Sequence, residues 1–254
     1  MKNNETHRDL LGSGTFQFAC NETVPCFTRC CRDADMLLYP YDIIRLKHFL
    51  GMTSEEFLVK HTFTAFRDNP YFPSVMLKMG DAKGHPCPFL SEKGCGVYED
   101  RPYSCRAYPL EPAMHGDPQG GFAITAYRVR HGHCLGHDHG KKWTSGQWMK
   151  DQGMEVYNQY NSSWARVAAL LSLKNSFGEK GGDNPAMNMA YMASYNVDTF
   201  RRFVFESSFL QRFDVSPDRA DEVKNDDSAL MLLGFDWILR FLGGQGPLRE
   251  KKSG

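Results

Sequence analysis

Apolar residues recur at three- and four-residue spacing in some stretches of this chain and at alternate positions in others, and those two periods predict its elements. Ile43, Ile44, Leu46, Phe49 and Leu50 predict a helix that Asp42 caps and Gly51 stops. Thr53 followed three residues later by Glu56 is a capping box, opening a short helix that carries Phe57, Leu58 and Val59. Residues 75–79 and 122–129 read as strands, the second through Ile124, Ala126 and Tyr127. Between them Pro86, Pro88, Pro102, Pro109, Pro112 and Pro118 disfavour long regular elements, which leaves a loop-rich stretch in need of an internal organiser.

Beyond residue 140 the pattern becomes helical. Thr144 with Gln147 makes another capping box, and residues 147–173 predict one long helix with Trp148, Val156, Tyr157, Trp164, Val167 and Leu171 facing the core. Residues 187–195, 197–213 and 217–242 also read as helices, the last capped by Ser216 with Pro217 in its first turn. Leu230, Leu233, Trp237, Ile238 and Phe241 form an apolar stripe expected to pack inward. Met187, Met189 and Met192 with Tyr191 and Tyr195 are expected to fill core gaps rather than line a groove. Residues 1–15, with Gly12-Ser13-Gly14, read as a flexible tail, and the glycines lack the fingerprint of a nucleotide loop.

Charge narrows the function classes. Lys plus Arg and Asp plus Glu both total 30, so no global field favours nucleic acid or an anionic membrane, and neither is expected as a partner. No run of about 18 apolar residues occurs and residues 1–11 are polar, so the expectation is an unexported, cytoplasmic protein.

Chemistry enters with cysteine. All eight cysteines, Cys20, Cys26, Cys30, Cys31, Cys87, Cys95, Cys105 and Cys134, precede residue 135. In a reducing compartment such a cluster points to metal, since thiolates suit zinc and iron-sulfur centres. A disulfide scaffold fits poorly, because the chain is long for one and adjacent Cys30 and Cys31 cannot easily both enter unstrained bridges. Neighbouring side chains on extended backbone face opposite ways, so the vicinal pair favours two centres over one. The spacings C-x5-C-x3-C-C and C-x7-C-x9-C with a late Cys134 match neither common zinc ribbons nor the ferredoxin run. The expected cofactor is an iron-sulfur cluster of 4Fe-4S type, in two centres where the thiolates divide evenly, with zinc as the alternative.

These motifs carry a family resemblance. The group from Cys20 to Cys31, then Cys87-Pro88-Phe89-Leu90, Cys95-Gly96-Val97-Tyr98-Glu99, Arg101-Pro102, Cys105-Arg106-Ala107-Tyr108-Pro109 and Cys134-Leu135-Gly136, resembles the YkgJ-like cysteine-cluster family of zinc- or iron-chelating proteins. The first group is wider than that family's usual spacing, and Leu135 stands where it usually has proline. The resemblance covers roughly residues 16–140 and implies a metal-binding cysteine core. Some bacterial flagellin lysine methylases look like carriers of a similar cluster, which adds a protein-modification reading.

Two further groups surround the cysteines. Arg101 and Arg106 flank Cys105, as candidates either to offset a thiolate centre's charge or to fix the loop through carbonyl contacts. His131, His133, His137 and His139 bracket Cys134, and the glycines among them suggest a solvated loop, with a mixed Cys/His site as the alternative. The expected fold is α+β: an irregular, metal-organised cysteine-rich core at residues 16–140 and a mainly helical part at 141–254, able to pack as one domain. The expected function is redox or redox-linked modification chemistry on a redox partner or protein substrate, and whether the protein is an enzyme stays open. The alternatives are a zinc-stabilised interaction module and a metal-handling protein.

Overall fold

The computed structural model describes residues 6–67, 69–116, 122–173 and 184–251, and its fold is α+β. The strands are β1 (Thr6–Leu10), β2 (Thr15–Phe18), β3 (Leu37–Leu38), β4 (Thr62–Ala65), β5 (Ser74–Leu77), β6 (Leu90–Ser91), β7 (Gly94–Cys95), β8 (Leu110–Gly116), β9 (Phe122–His131) and β10 (His137–Thr144). The helices are α1 (Pro40–Leu50), α2 (Ser54–His61), α3 (Tyr103–Ala107), α4 (Ser145–Asp151), α5 (Glu155–Leu171), α6 (Pro185–Tyr195), α7 (Val197–Glu206), α8 (Phe209–Arg212), α9 (Pro217–Asn225) and α10 (Asp227–Gly243). Two compact units divide them: residues 1–36 with 78–162, and residues 37–77 with 163–254. The compositional break near residue 140 falls inside β10, within the first unit.

In the first unit β9 is the centre of an antiparallel sheet ordered β1-β9-β8, β10 pairs with β2, and β6-β7 is a small hairpin. Residues 6–10, expected as tail, are a strand, with His7 opposite Arg130 and Leu10 opposite Tyr127. Residues 1–5 and Pro118 lie outside the described residues. Phe16, Phe18, Leu110, Ala126, Trp143 and Trp148 form a small aromatic core, in which Trp143 and Trp148 meet edge to face at 5.1 Å. Both indoles donate to carbonyls, Trp143 to Phe18 at 3.2 Å and Trp148 to Ala107 at 3.0 Å, so neither N–H is buried without a partner. At Gly136 a Cβ would stand 2.3 Å from the Ala19 carbonyl oxygen, so only glycine lets the chain pass there.

The expected long helix over 147–173 is two helices. Gly153, at φ +63°, turns the chain between α4 and α5, a conformation that a side chain would disfavour. The Thr144–Gln147 capping box does open α4.

The second unit holds the sheet β3-β5-β4 and α1, α2 and α6 to α10. Helix α1 ends at Gly51 in the left-handed region, and Asp42 accepts a hydrogen bond from the Tyr39 N–H at 2.8 Å, so it acts from the third helical position. The Thr53–Glu56 capping box forms as expected. Two expected helices are each divided by a polar side chain. The Ser207 hydroxyl donates to the Phe203 carbonyl and accepts from the Phe209 N–H, ending α7 and starting α8. Asp226 accepts from the N–H groups of Ser228 and Ala229, so it caps α10 afresh after α9.

Leu38, Ile43, Leu46, Phe57, Val75, Phe200, Leu230, Leu233 and Ile238 are fully buried in this unit's core. Of the apolar stripe on α10, only Phe241 stays largely exposed. Inside the same unit Lys47 is buried between Asp227 at 2.6 Å and Asp198 at 2.8 Å, and Asp227 also pairs with His48 and Arg201. Among the described residues no helix is long and apolar enough to cross a membrane.

Candidate metal centre

Local backbone structure gathers the cysteines from separate stretches of the first unit. Thr28, at φ 64°, tightens the chain into a single 3-10 turn, Arg29–Cys31, that presents Cys30 and Cys31. The Cys87 N–H donates to the Cys31 carbonyl at 2.7 Å, and Arg32 bridges Pro86, so the vicinal pair is fastened to the Cys87 loop. Cys95 lies on β7 opposite Leu90, and Cys105 sits in α3. Cys134 follows β9 in a turn closed by its N–H on the His131 carbonyl. The next residue, Leu135, donates its N–H to Cys26 Sγ at 3.1 Å, tying the last cysteine segment to the first. All eight cysteines are free thiols.

The thiols raise one another's proton affinity. Burial pushes Cys20 up to about 11, with Cys30, Cys134 and Cys26 adding to it. A hydrogen bond between the vicinal side chains splits them, lowering Cys30 to about 7 and raising Cys31, which burial, Cys105 and Cys87 raise further. Cys87, Cys95 and Cys134 are raised mainly by burial. Against this, hydrogen bonds to sulfur favour the thiolate: the Phe89 N–H on Cys87, the Val97 N–H on Cys95, and the Tyr108 hydroxyl with the Gly136 N–H on Cys134.

Among the described residues no three His, Cys, Asp or Glu side chains form a finished coordination set. The raised proton affinities keep most of these thiols neutral, so a metal would have to displace their protons and draw the sulfurs together as it bound. The donor chemistry does fit a thiophilic metal: eight soft ligands in mutual electrostatic reach, several already accepting N–H or O–H bonds.

Those backbone donors were not foreseen from the sequence, although the signal was present. In Cys87-Pro88-Phe89, Cys95-Gly96-Val97 and Cys134-Leu135-Gly136, each sulfur accepts from the N–H two residues onward. Tyr108 belonged to a quoted motif without a role.

Arg101 and Arg106 are both buried and bind carbonyls. Arg101 donates to the Tyr98 carbonyl and to Gln152 Oε1 at 2.6 Å, and lies over the Tyr98 ring at 3.9 Å. Arg106 donates to the carbonyls of Gln152, at 2.7 Å, and Glu99. The Arg101 charge also lowers the proton affinity of Cys20 and Cys95.

The histidines are more ordered than a solvated loop. His131 stacks between Tyr108 at 5.5 Å and His133 at 5.4 Å. His137, on β10, is buried against Phe18, shares a 3.1 Å hydrogen bond with the Tyr108 hydroxyl, and is pushed down to about 4 by burial and by Arg130. Only His139 of the four is exposed.

A loop-rich unit with eight free thiols, backbone donors aimed at sulfur and buried arginines bracing the loops defines a thiolate metal-binding domain. Residues 19–135, which hold all eight cysteines, match the family model CxxCxxCC, described as a "putative zinc- or iron-chelating domain". No curated protein and no solved structure matches the chain significantly.

Proposed function

We propose that the eight cysteines bind iron as iron-sulfur centres and that the protein serves redox or redox-linked modification chemistry, with a redox partner or a protein substrate. The carrying observation is the set of N–H and O–H bonds to the sulfurs of Cys26, Cys87, Cys95 and Cys134. Such bonds and net charge are the levers by which a chain tunes an iron-sulfur potential. When bound, the group supplies one-electron transfer. The chain holds it through thiolates, Arg101 offsets negative charge beside Cys20 and Cys95, and Tyr108 orients Cys134. Cys20, Cys30 and Cys105 keep part of their surface in solvent even where neighbours crowd the sulfur, so a partner could approach them.

We divide the thiols into two sets of four, Cys20, Cys26, Cys30 and Cys134, and Cys31, Cys87, Cys95 and Cys105: couplings join Cys20 to Cys26, Cys30 and Cys134 and Cys31 to Cys87 and Cys105, while Cys30 also couples to Cys87 and Cys95 and so stands between the sets. The vicinal pair is divided between them. Anaerobic purification with iron, sulfide and zinc analysis tests the metal: a visible spectrum that bleaches on reduction is expected, whereas colourless protein with stoichiometric zinc would establish a closed structural site instead. Cys30→Ser and Cys31→Ser should each remove about half the iron, as expected when each cluster has its own four thiolates. Loss of all iron in both variants would contradict the two-set division.

A further inference from the structure

The helical unit carries a cleft that the cysteine chemistry does not use. Its volume is about 610 Å³, within the range of small-molecule pockets. Buried Trp237, Phe209 and Phe213 contribute apolar surface, and Phe203, Met189 and Phe241 complete it. Phe241 stacks on Trp237 at 5.2 Å and yet remains 44 % exposed. One side is fixed by backbone: Phe213 bridges Glu250, and the Lys251 N–H donates to the Arg212 carbonyl at 2.8 Å. The result is a half-open cleft of small-molecule size.

The polar lining sets the charge. Arg212 and Arg240 are its cations and Glu250 its single carboxylate, with the serines 207 and 208 beside them. Arg212 lies over the Phe213 ring at 5.7 Å. Arg240 meets the Gly244 carbonyl at 3.0 Å but reaches Glu250 only at 3.4 Å, the loose end of a hydrogen bond. A guanidinium so loosely engaged accepts a second carboxylate, and aromatic walls offer faces and edges to a ring.

We infer that this cleft binds a small aromatic carboxylate, its ring against Phe241 and Phe203 and its carboxylate on the Arg212 and Arg240 guanidinium groups. Charge complementarity selects the acid over a neutral ring, and the inference is independent of which metal the cysteines hold.

Calorimetry on the full chain with 2-naphthoate and with neutral 2-naphthylmethanol tests it. The acid should bind about tenfold tighter than the alcohol, as a charge-assisted hydrogen bond implies. Arg212→Gln with Arg240→Gln should abolish that preference, and Glu250→Gln should tighten acid binding by releasing Arg240. Phe241→Ala should weaken both ligands alike. Because Arg212 is exposed, Arg212→Gln alone, with its thermal melt checked, should keep the fold and lose part of the preference. No binding up to the solubility limit, equal affinity for acid and alcohol, or an acid preference that survives the double substitution would each overturn the site.

Discussion

The two units solve the same problem with different materials. The helical unit buries large aliphatic and aromatic side chains completely, Phe57, Phe200, Leu230 and Met231 among them, and even its buried charges are paired. The cysteine unit concentrates its aromatic core around Trp143 and Trp148 and leaves much of its chain in loops, where burial and crowding hold most of the thiols in their neutral form. One unit is held by apolar burial of its own side chains, and on the function proposed above the other would draw on metal ligation as well.

Metal removal is therefore the largest way to break the comparison. Structural thiolate sites contribute on the order of 10 kcal/mol to folding. Chelation should strip hydrogen-exchange protection from residues 78–116 while α1, α7 and α10 keep theirs. Uniform loss across both units would show that the helical unit does not stand on its own core.

A smaller effect probes the helical unit from inside. Lys47→Ala leaves Asp198 and Asp227 without their central cation, and removing one partner from a buried pair costs about 3–5 kcal/mol. A urea titration followed at α10 should read that loss, with metal content unchanged.

Acid should separate the units by range. Burial opposes the charge on Asp227, but Lys47, Arg201 and His48 outweigh it and hold the carboxyl below its ordinary value, as Lys47 and Ser54 do for Asp198. The stability these contribute is full above the unfolded carboxylate range and is lost only as pH falls below about 4. His137 is lowered too, with the same sign but in a higher window: the unfolded chain takes a proton that the folded ring refuses, so the cysteine unit should soften as pH falls from about 6.5 toward its folded value of about 4. Hydrogen exchange near β10 at pH 7 and pH 5 checks this, and unchanged protection would remove His137 from the account.

How much of this was legible depended on distance along the chain. Signals acting over a single turn were read directly: Gly51 stopping α1, the capping boxes at Thr53 and Thr144, and Ser216 before Pro217. Breaks made by one residue inside a strong helical period were not, because period outvotes a lone Gly153 or Asp226 until backbone geometry or a cap is seen. Long-range partners were invisible: residues 6–10 resemble tail until β9 supplies their edge, and the His131 region resembles a loop until Tyr108 and Phe18 stack beside its rings. Among the cysteines the supply of soft sulfur donors was countable in the sequence, whereas the i+2 N–H bonds to sulfur needed coordinates, since backbone donors leave no residue type to recognise.

The smallest test asks whether the contrast reaches local structure. Thr53 and Thr144 make the same cap, each accepting the N–H three residues on at 3.2 Å, one in each unit. A cap satisfies a helix's own orphan donors and is indifferent to what organises the surrounding core. Thr53→Ala and Thr144→Ala should therefore each cost about 1 kcal/mol in the metal-loaded protein, read as local exchange in α2 and α4. If Thr144→Ala costs several times more, α4 is part of what positions the metal-bearing loops, and the difference between the units extends beyond the sulfur centre into its helical border.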